Sequence, residues 1–281
     1  MSKEFTKEDV IQNKKEAIKS LNKMLEFLIN DPTGNHLKKA NLLSYWIKNY
    51  VRMINFEEEF DPTRNISYKR GNIVKVDFGF NIGAEYGGLH YGIVLDVKNS
   101  HHSPVVTVIP LTSAKNEKET HENNVELGNE LYRLLKLKYD TISKALKEEQ
   151  DEIEKELALF ESIVKLARAT IDELKTCETG TDDFKKKLDD TQKYFDISTN
   201  LEKTWKEKEK HNVEQQEYLD KIGYEISNMK EGSIALVNQI TTISKIRIFD
   251  PRNLKGVLAG VSLSEENMEK INQKVKDLYV F

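Results

Sequence analysis

Apolar residues recur at helical spacing over residues 6–30, where Val10, Ile11, Ala17, Ile18, Leu21, Met24, Leu25 and Leu28 form one stripe. Thr6, an N-cap residue type followed by acidic positions, marks the start, so the pattern predicts an amphipathic helix. DPTGN supplies turn residues, and Leu37 to Ile54, dense in Leu42, Leu43, Tyr45, Trp46, Ile47, Tyr50 and Val51, predicts a second helix. Two readings of this pair stay open: packing against the next domain, or a face offered to a partner.

The period changes over residues 69–128. NIVKVDFGF alternates, YGIVLDV and PVVTVIPL are short runs rich in β-branched residues, and NNVEL follows a polar loop, all of which predict strands. A third period follows. Tyr139, Leu146, Ile153, Phe160, Ala167 and Leu174 stand seven apart, with Leu135, Ile142 and Ile163 in companion positions, the spacing of a coiled-coil-like helix. CETGTDDF breaks it, and Phe184, Leu188, Phe195, Trp205, Leu219, Ile222, Ile226 and Met229 mark a return arm. An antiparallel helical hairpin follows, with arms of roughly 45 residues and on the order of 65 Å. GSIALVNQITTISKIRI is strand-like again, and a helix capped at Ser264 closes the chain.

Punctuation residues fix the boundaries. Residues 71–128 hold seven of the 13 glycines, whereas residues 131–230 hold two and no proline, so the latter read as an uninterrupted helical insertion. The expected organisation is an N-terminal helical extension (1–66), a first part of a small sheet domain (67–130), the inserted hairpin (131–230), and the rest of the sheet domain with a C-terminal helix (231–281). The fold class expected is α+β, a small antiparallel β-barrel split by a helical insertion.

Composition narrows the function classes. The net charge of −4 provides no global cationic field for nucleic acid, although a local patch remains open. The single cysteine, Cys177, excludes an internal disulfide and suits a reducing compartment. No run approaches the ~20 apolar residues of a spanning helix, and the first ten residues lack a signal-peptide core, so no membrane role and a cytoplasmic location are expected. No phosphate-binding glycine loop, dinucleotide fingerprint or nucleophile elbow is present. His101, His102 and His121 stand in polar loops without metal-ligand spacing, and neither metal nor cofactor is expected.

RGNIVKVDFGFNIGAEYGG, then GIVLDV, VVTVIPLTS, SIALVNQITTISKIRI and SEENMEKINQKV, in that order, resemble the MazF/PemK toxins of bacterial type II toxin–antitoxin systems. The similarity covers residues 69–128 and 232–281, leaving the N-terminal helices and the hairpin outside the ordinary pattern. The resemblance implies a MazF/Kid-like barrel with a C-terminal helix, usually a homodimer, partnered by an antitoxin, that cleaves single-stranded RNA at short sequences without a metal. It also implies that the glycine-rich turn Gly83–Tyr91 and Thr112 border the RNA groove. His90 stands where the family usually carries a catalytic arginine, Tyr91 where it carries proline and Ala84 where it carries serine. Asn238 precedes Gln239 where relatives have an acidic residue.

Metal-free RNA cleavage needs a base for the 2′-hydroxyl, an acid for the leaving 5′-oxygen, and donors for charge on the phosphate. His90 titrates near neutrality and is the candidate for proton transfer, with Glu85 orienting it or carrying the second proton. Thr112, Ser113 and the backbone N–H groups of Gly87 and Gly88 are candidate phosphate donors. Gln239, Thr242, Lys245 and Arg247 are candidate base or phosphate contacts. Phe78, Phe80 and Tyr86 are either stacking faces or core. The leading reading is an endoribonuclease that acts by 2′-hydroxyl attack and leaves a cyclic phosphate. The alternative is a catalytically degenerate barrel that binds RNA or a protein. The hairpin is expected either to choose partners, by dimerising through Leu146, Ile153 and Phe160 or by engaging an antitoxin or a large ribonucleoprotein, or to be a spacer. The N-terminal helices could cover the groove in cis.

Overall fold

The computed structural model describes residues 5–114 and 121–280; the polar stretch 115–120 lies outside them. The elements in chain order are α1 (Lys7–Ile29), α2 (Leu37–Glu57), β1 (Ile73–Asp77), β2 (Leu89–Val94), β3 (Val105–Ser113), β4 (Val125–Gly128), α3 (Glu130–Leu174), α4 (Asp182–Asn228), β5 (Ser233–Ala235), β6 (Thr241–Ser244), β7 (Ile248–Asp250) and α5 (Glu265–Tyr279). The chain divides into two compact units, Met1–Thr112 with Ala235–Asn253 and Ile271–Phe281, and Ser113–Ile234 with Leu254–Lys270.

In the first unit, α1 starts as its sequence dictates. The Thr6 hydroxyl accepts from the Asp9 N–H at 3.1 Å, and the Asp9 carboxylate accepts from the Thr6 N–H at 3.1 Å, a reciprocal capping box. The sheet is antiparallel: β1 pairs with β2 (Ile73 opposite Ile93, Val76 opposite His90) and β2 with β3 (Gly92 opposite Pro110). β3 also pairs with β6, Val105 opposite Ser244, and β1 with β7, Lys75 opposite Asp250. Val74, Val76, Phe78, Val94, Val106, Val108, Ile243 and Ile248 form the core with Tyr68, whose hydroxyl donates to the Pro251 carbonyl at 2.8 Å.

The sheet is open, not the closed barrel expected. Between β6 and β7 the chain makes a 3₁₀ turn at Lys245–Arg247, capped by the Ser244 hydroxyl accepting the Ile246 N–H. This turn interrupts the strand, so β6 stays on β3 and β7 on β1, and among the described residues no ladder completes the ring.

In the second unit, α3 and α4 form an antiparallel pair. Lys187 meets Glu173, Lys208 meets Glu152 and Glu156, and His211 meets Glu149, so partners descend on one arm as they ascend on the other. The heptad positions Leu146 and Ala167 are buried. Leu146 is thereby used inside the protein and does not present a free dimerisation face. At the hairpin base, Lys138 Nζ donates to the carbonyls of Val257 and Ala259 at 2.8 and 2.7 Å. The buried Glu130 carboxylate accepts from the Ser264 N–H at 2.6 Å and from the Asn267 amide.

Candidate active site

The site grows from the β1–β2 connection. After Asp77 pairs with Leu89 the chain loops out, and the neck is closed by the Phe78 N–H donating to the Gly88 carbonyl (2.9 Å) and the Gly88 N–H to the Gly79 carbonyl (2.7 Å). A Cβ on Gly87 would lie 2.7 Å from the Gly79 oxygen, so glycine permits this approach of two backbones. Within the loop, Asn81 Nδ2 donates to the carbonyls of Phe78 and Tyr86 at 3.2 and 2.7 Å. From outside, Gln239 clamps it: its Oε1 accepts from the Tyr86 N–H at 3.2 Å and its Nε2 donates to the Ala84 carbonyl at 3.3 Å.

The clamp fixes Tyr86. Its ring meets Phe78 edge-on at 5.8 Å, and its hydroxyl donates to the Leu111 carbonyl at 2.7 Å beside the Thr112 hydroxyl. The His90 ring lies 4.6 Å from the Tyr86 ring, tilted by 46°. Strand alternation explains why these groups meet. His90 pairs with the core residue Val76, and Thr112 follows Val106 and Val108 at even spacing on β3, so both belong to the inner face at its rim. His90, Tyr86 and Thr112 form one cluster.

Burial pushes the His90 imidazole below its ordinary value of 6.5, and a hydrogen bond with the Gly87 backbone opposes this more weakly. Below that value a histidine is neutral at pH 7 and able to accept a proton. Burial likewise raises the Tyr86 phenol, with the Thr112 hydroxyl opposing, so Tyr86 remains a protonated donor.

Gly87 and Gly88 adjoin His90, and Gln239 adjoins Tyr86; the remaining expected site residues are placed elsewhere. Glu85 accepts the Ile82 N–H at 3.3 Å within its own turn, and with Gly87 and Gly88 it lines a cleft of about 410 Å³ walled by Trp46 and Asn49 of α2. The Gly88 N–H is committed to Gly79. Alternation turns Ser113 to the face opposite Thr112. Thr242 is exposed opposite Thr107, their hydroxyl oxygens 3.2 Å apart. Arg247 Nε donates to the Asp77 carbonyl at 2.8 Å, and burial lowers its guanidinium. Lys245 is 0 % exposed; its Nζ donates to the Ser100 carbonyl at 3.0 Å and faces the Tyr68 ring at 5.7 Å. Burial pushes that ammonium down, with Asp96 opposing.

For Tyr86 the sequence leaves two readings, stacking face or core; the structure packs it against the core and also sets its ring beside His90. A phenol four positions before a histidine, inside a glycine-bounded turn, is the available signal; nothing local announces that Gln239 reaches it from 153 positions away. Among the described residues, no group of three or more His, Cys, Asp or Glu side chains is placed to hold a metal ion. No helix among them is long and apolar enough to cross a membrane.

Residues 69–177 match the family described as PemK-like, MazF-like toxin of type II toxin–antitoxin system. The match spans β1 to β4 and continues through α3; it does not reach the 232–281 segment, where a resemblance is also expected from the sequence. No curated protein sequence matches the chain.

Proposed function

We propose that this chain, whose residues 69–177 match the PemK-like, MazF-like toxins, is a metal-independent endoribonuclease acting on single-stranded RNA. The observation that carries the proposal is the convergence of His90, Tyr86 and Thr112 on one rim of the sheet. His90 takes the proton of a 2′-hydroxyl; the freed oxygen attacks the adjacent phosphorus; the bond to the 5′-oxygen breaks, leaving a 2′,3′-cyclic phosphate. The imidazolium so formed is the acid that returns a proton to the leaving 5′-oxygen. Thr112 donates to a non-bridging phosphate oxygen, where charge develops. Tyr86 holds the imidazole in place, its hydroxyl anchored on the Leu111 carbonyl beside Thr112. Gln239 acts as a positioning residue for Tyr86, and Glu85 fastens the turn.

On this reading the partners are single-stranded RNA, a cognate antitoxin and a second copy of the chain, in the cytoplasm. The test is the chemistry of the ends. RNA incubated with the protein in EDTA is expected to yield fragments with 2′,3′-cyclic phosphate and free 5′-hydroxyl ends. Fragments with 5′-phosphates, or cutting only when a divalent metal is supplied, would overturn it. RNA binding without scission at saturating protein would establish a catalytically degenerate binding module instead.

A further inference from the structure

A cavity of about 560 Å³ lies away from the His90 cluster, between α2 and the β7 end of the sheet. Its volume is that of a small-ligand site. Three arginines stand around it, Arg52 from α2, Arg64 from the turn after α2, and Arg252 after β7. Arg252 is committed: its Nε donates to the Ile248 carbonyl at 2.6 Å and its guanidinium faces the Phe249 ring at 5.7 Å. Arg52 and Arg64 are exposed, and neither makes an ion pair or a side-chain hydrogen bond among the described residues. Three phenylalanines share the walls. Phe56 and Phe60 meet edge-on at 6.1 Å, and Phe56 and Phe249 keep 45 % and 48 % of their surface exposed, which leaves ring area for a further flat group.

The acids lining the cavity are already engaged. Asp61 accepts from the Thr63 N–H and hydroxyl at 2.9 and 2.6 Å, and these bonds with the nearby Arg64 hold it below the usual carboxylate range. Asp77 accepts the Gly79 N–H at 2.9 Å. Lys245 adds a positive charge from behind the wall. Four cationic residues against two acids leave local positive charge in a chain whose net charge is −4. Aromatic faces beside exposed guanidinium groups are the combination that takes up a base and its phosphate.

We infer that this cavity binds a nucleotide unit, its base against Phe56 and Phe249 and its phosphate on Arg52 and Arg64. The inference rests on the reading of the chain as a protein that acts on RNA, but not on cleavage. The unit can be one residue of a strand or a free nucleotide, and the experiment separates the two. Binding of a fluorescein-labelled eight-nucleotide oligouridylate and of 5′-AMP is measured over a range of salt, in a His90→Ala background that keeps the RNA intact. Circular dichroism shows that each variant is folded.

Arg52→Ala with Arg64→Ala is expected to weaken the oligonucleotide by about tenfold or more. It should also flatten the dependence of log affinity on log salt by about 0.7 for each phosphate no longer neutralised. Phe249→Ala is expected to weaken binding without changing that slope. If 5′-AMP binds with the same arginine dependence, the site takes free nucleotide; if only the oligonucleotide does, it takes a strand. Unchanged affinity of the double-arginine variant for both probes, or no binding of either by the unmutated pocket, overturns the inference. RNA cut in EDTA but bound equally well by the arginine variant defeats this site alone. Arginine-dependent binding of RNA that the protein with His90 intact never cuts defeats the nuclease alone.

Discussion

The His90 imidazole rests on the Tyr86 ring, with centroids 4.6 Å apart and planes at 46°. That packing gives the histidine a fixed direction and a partly desolvated surrounding, and Gln239 maintains it by holding the loop on both sides of Tyr86. A histidine held this way differs chemically from the arginine that the resemblance leads one to expect. An imidazole can accept and return a proton, where a guanidinium only neutralises charge.

The pH dependence follows from the direction of the His90 shift. Its folded value lies below 6.5, so the folded chain binds fewer protons than the unfolded chain as pH falls through that region. This contribution to stability is complete above the unfolded value and is lost as pH drops toward the folded one. Chemical denaturation between pH 5 and 8 should show stability rising with pH, and His90→Gln should flatten the curve. Cleavage should rise with pH over the same limb, because the proposed base is the neutral imidazole. A cleavage rate that falls as pH rises from 5 to 7 would refute this assignment.

Gly88 should be irreplaceable for chemistry more than for folding. Its φ is +95°, and a Cβ there would lie 3.2 Å from His90 Nε2, whereas Gly83, at φ +63°, has nothing within 4 Å of its Cβ position. Gly88→Ala and Gly83→Ala should each cost about 1–2 kcal/mol through the backbone, read from denaturant unfolding. Only Gly88→Ala should abolish cleavage. Equal cleavage by the two variants would show that the histidine position does not matter.

Gln239→Leu removes both clamping hydrogen bonds while retaining bulk. Unfolding should cost about 1 kcal/mol less free energy, with the turnover of RNA lowered far more than its binding. A variant that binds RNA less well but turns it over normally would return Gln239 to the role of a base contact.

Lys245→Met separates a structural lysine from a phosphate contact. The Ser100 carbonyl loses its donor, which should destabilise the fold by about 1–3 kcal/mol. The salt dependence of RNA binding should stay as it was, since a side chain with 0 % exposure releases no counterion. A shallower salt slope would contradict the burial argument.

Much of the local structure can be read from residue spacing. Thr6 and Asp9 form the expected cap, and the seven-residue repeat from Tyr139 to Leu174 lies in one uninterrupted helix. Period and capping are local properties, so a single sequence carries them. The inner-face placement of His90 and Thr112 also follows from alternation along β2 and β3. What the spacing does not carry is the use of each polar side chain. Lys245 reads as a surface cation, but the turn between β6 and β7 directs it inward to Ser100. Gln239 reads as a base-reading amide, yet it is spent on Ala84 and Tyr86. The interruption at Lys245–Arg247 that leaves the sheet open depends on a Ser244 cap that looks like any other serine. Arg52 and Arg64 share a cavity with Phe249 only through the approach of α2 and the turn after it to β7, which no local pattern specifies.

Incubation of purified protein with a long, weakly structured RNA in EDTA, with new 5′ ends mapped for wild type and for His90→Ala side by side, reaches the central claim directly. Site-specific cuts by the wild type that vanish in a folded His90→Ala variant are the predicted result. Cuts that persist at the wild-type rate in the variant would contradict the claim that His90 carries the proton.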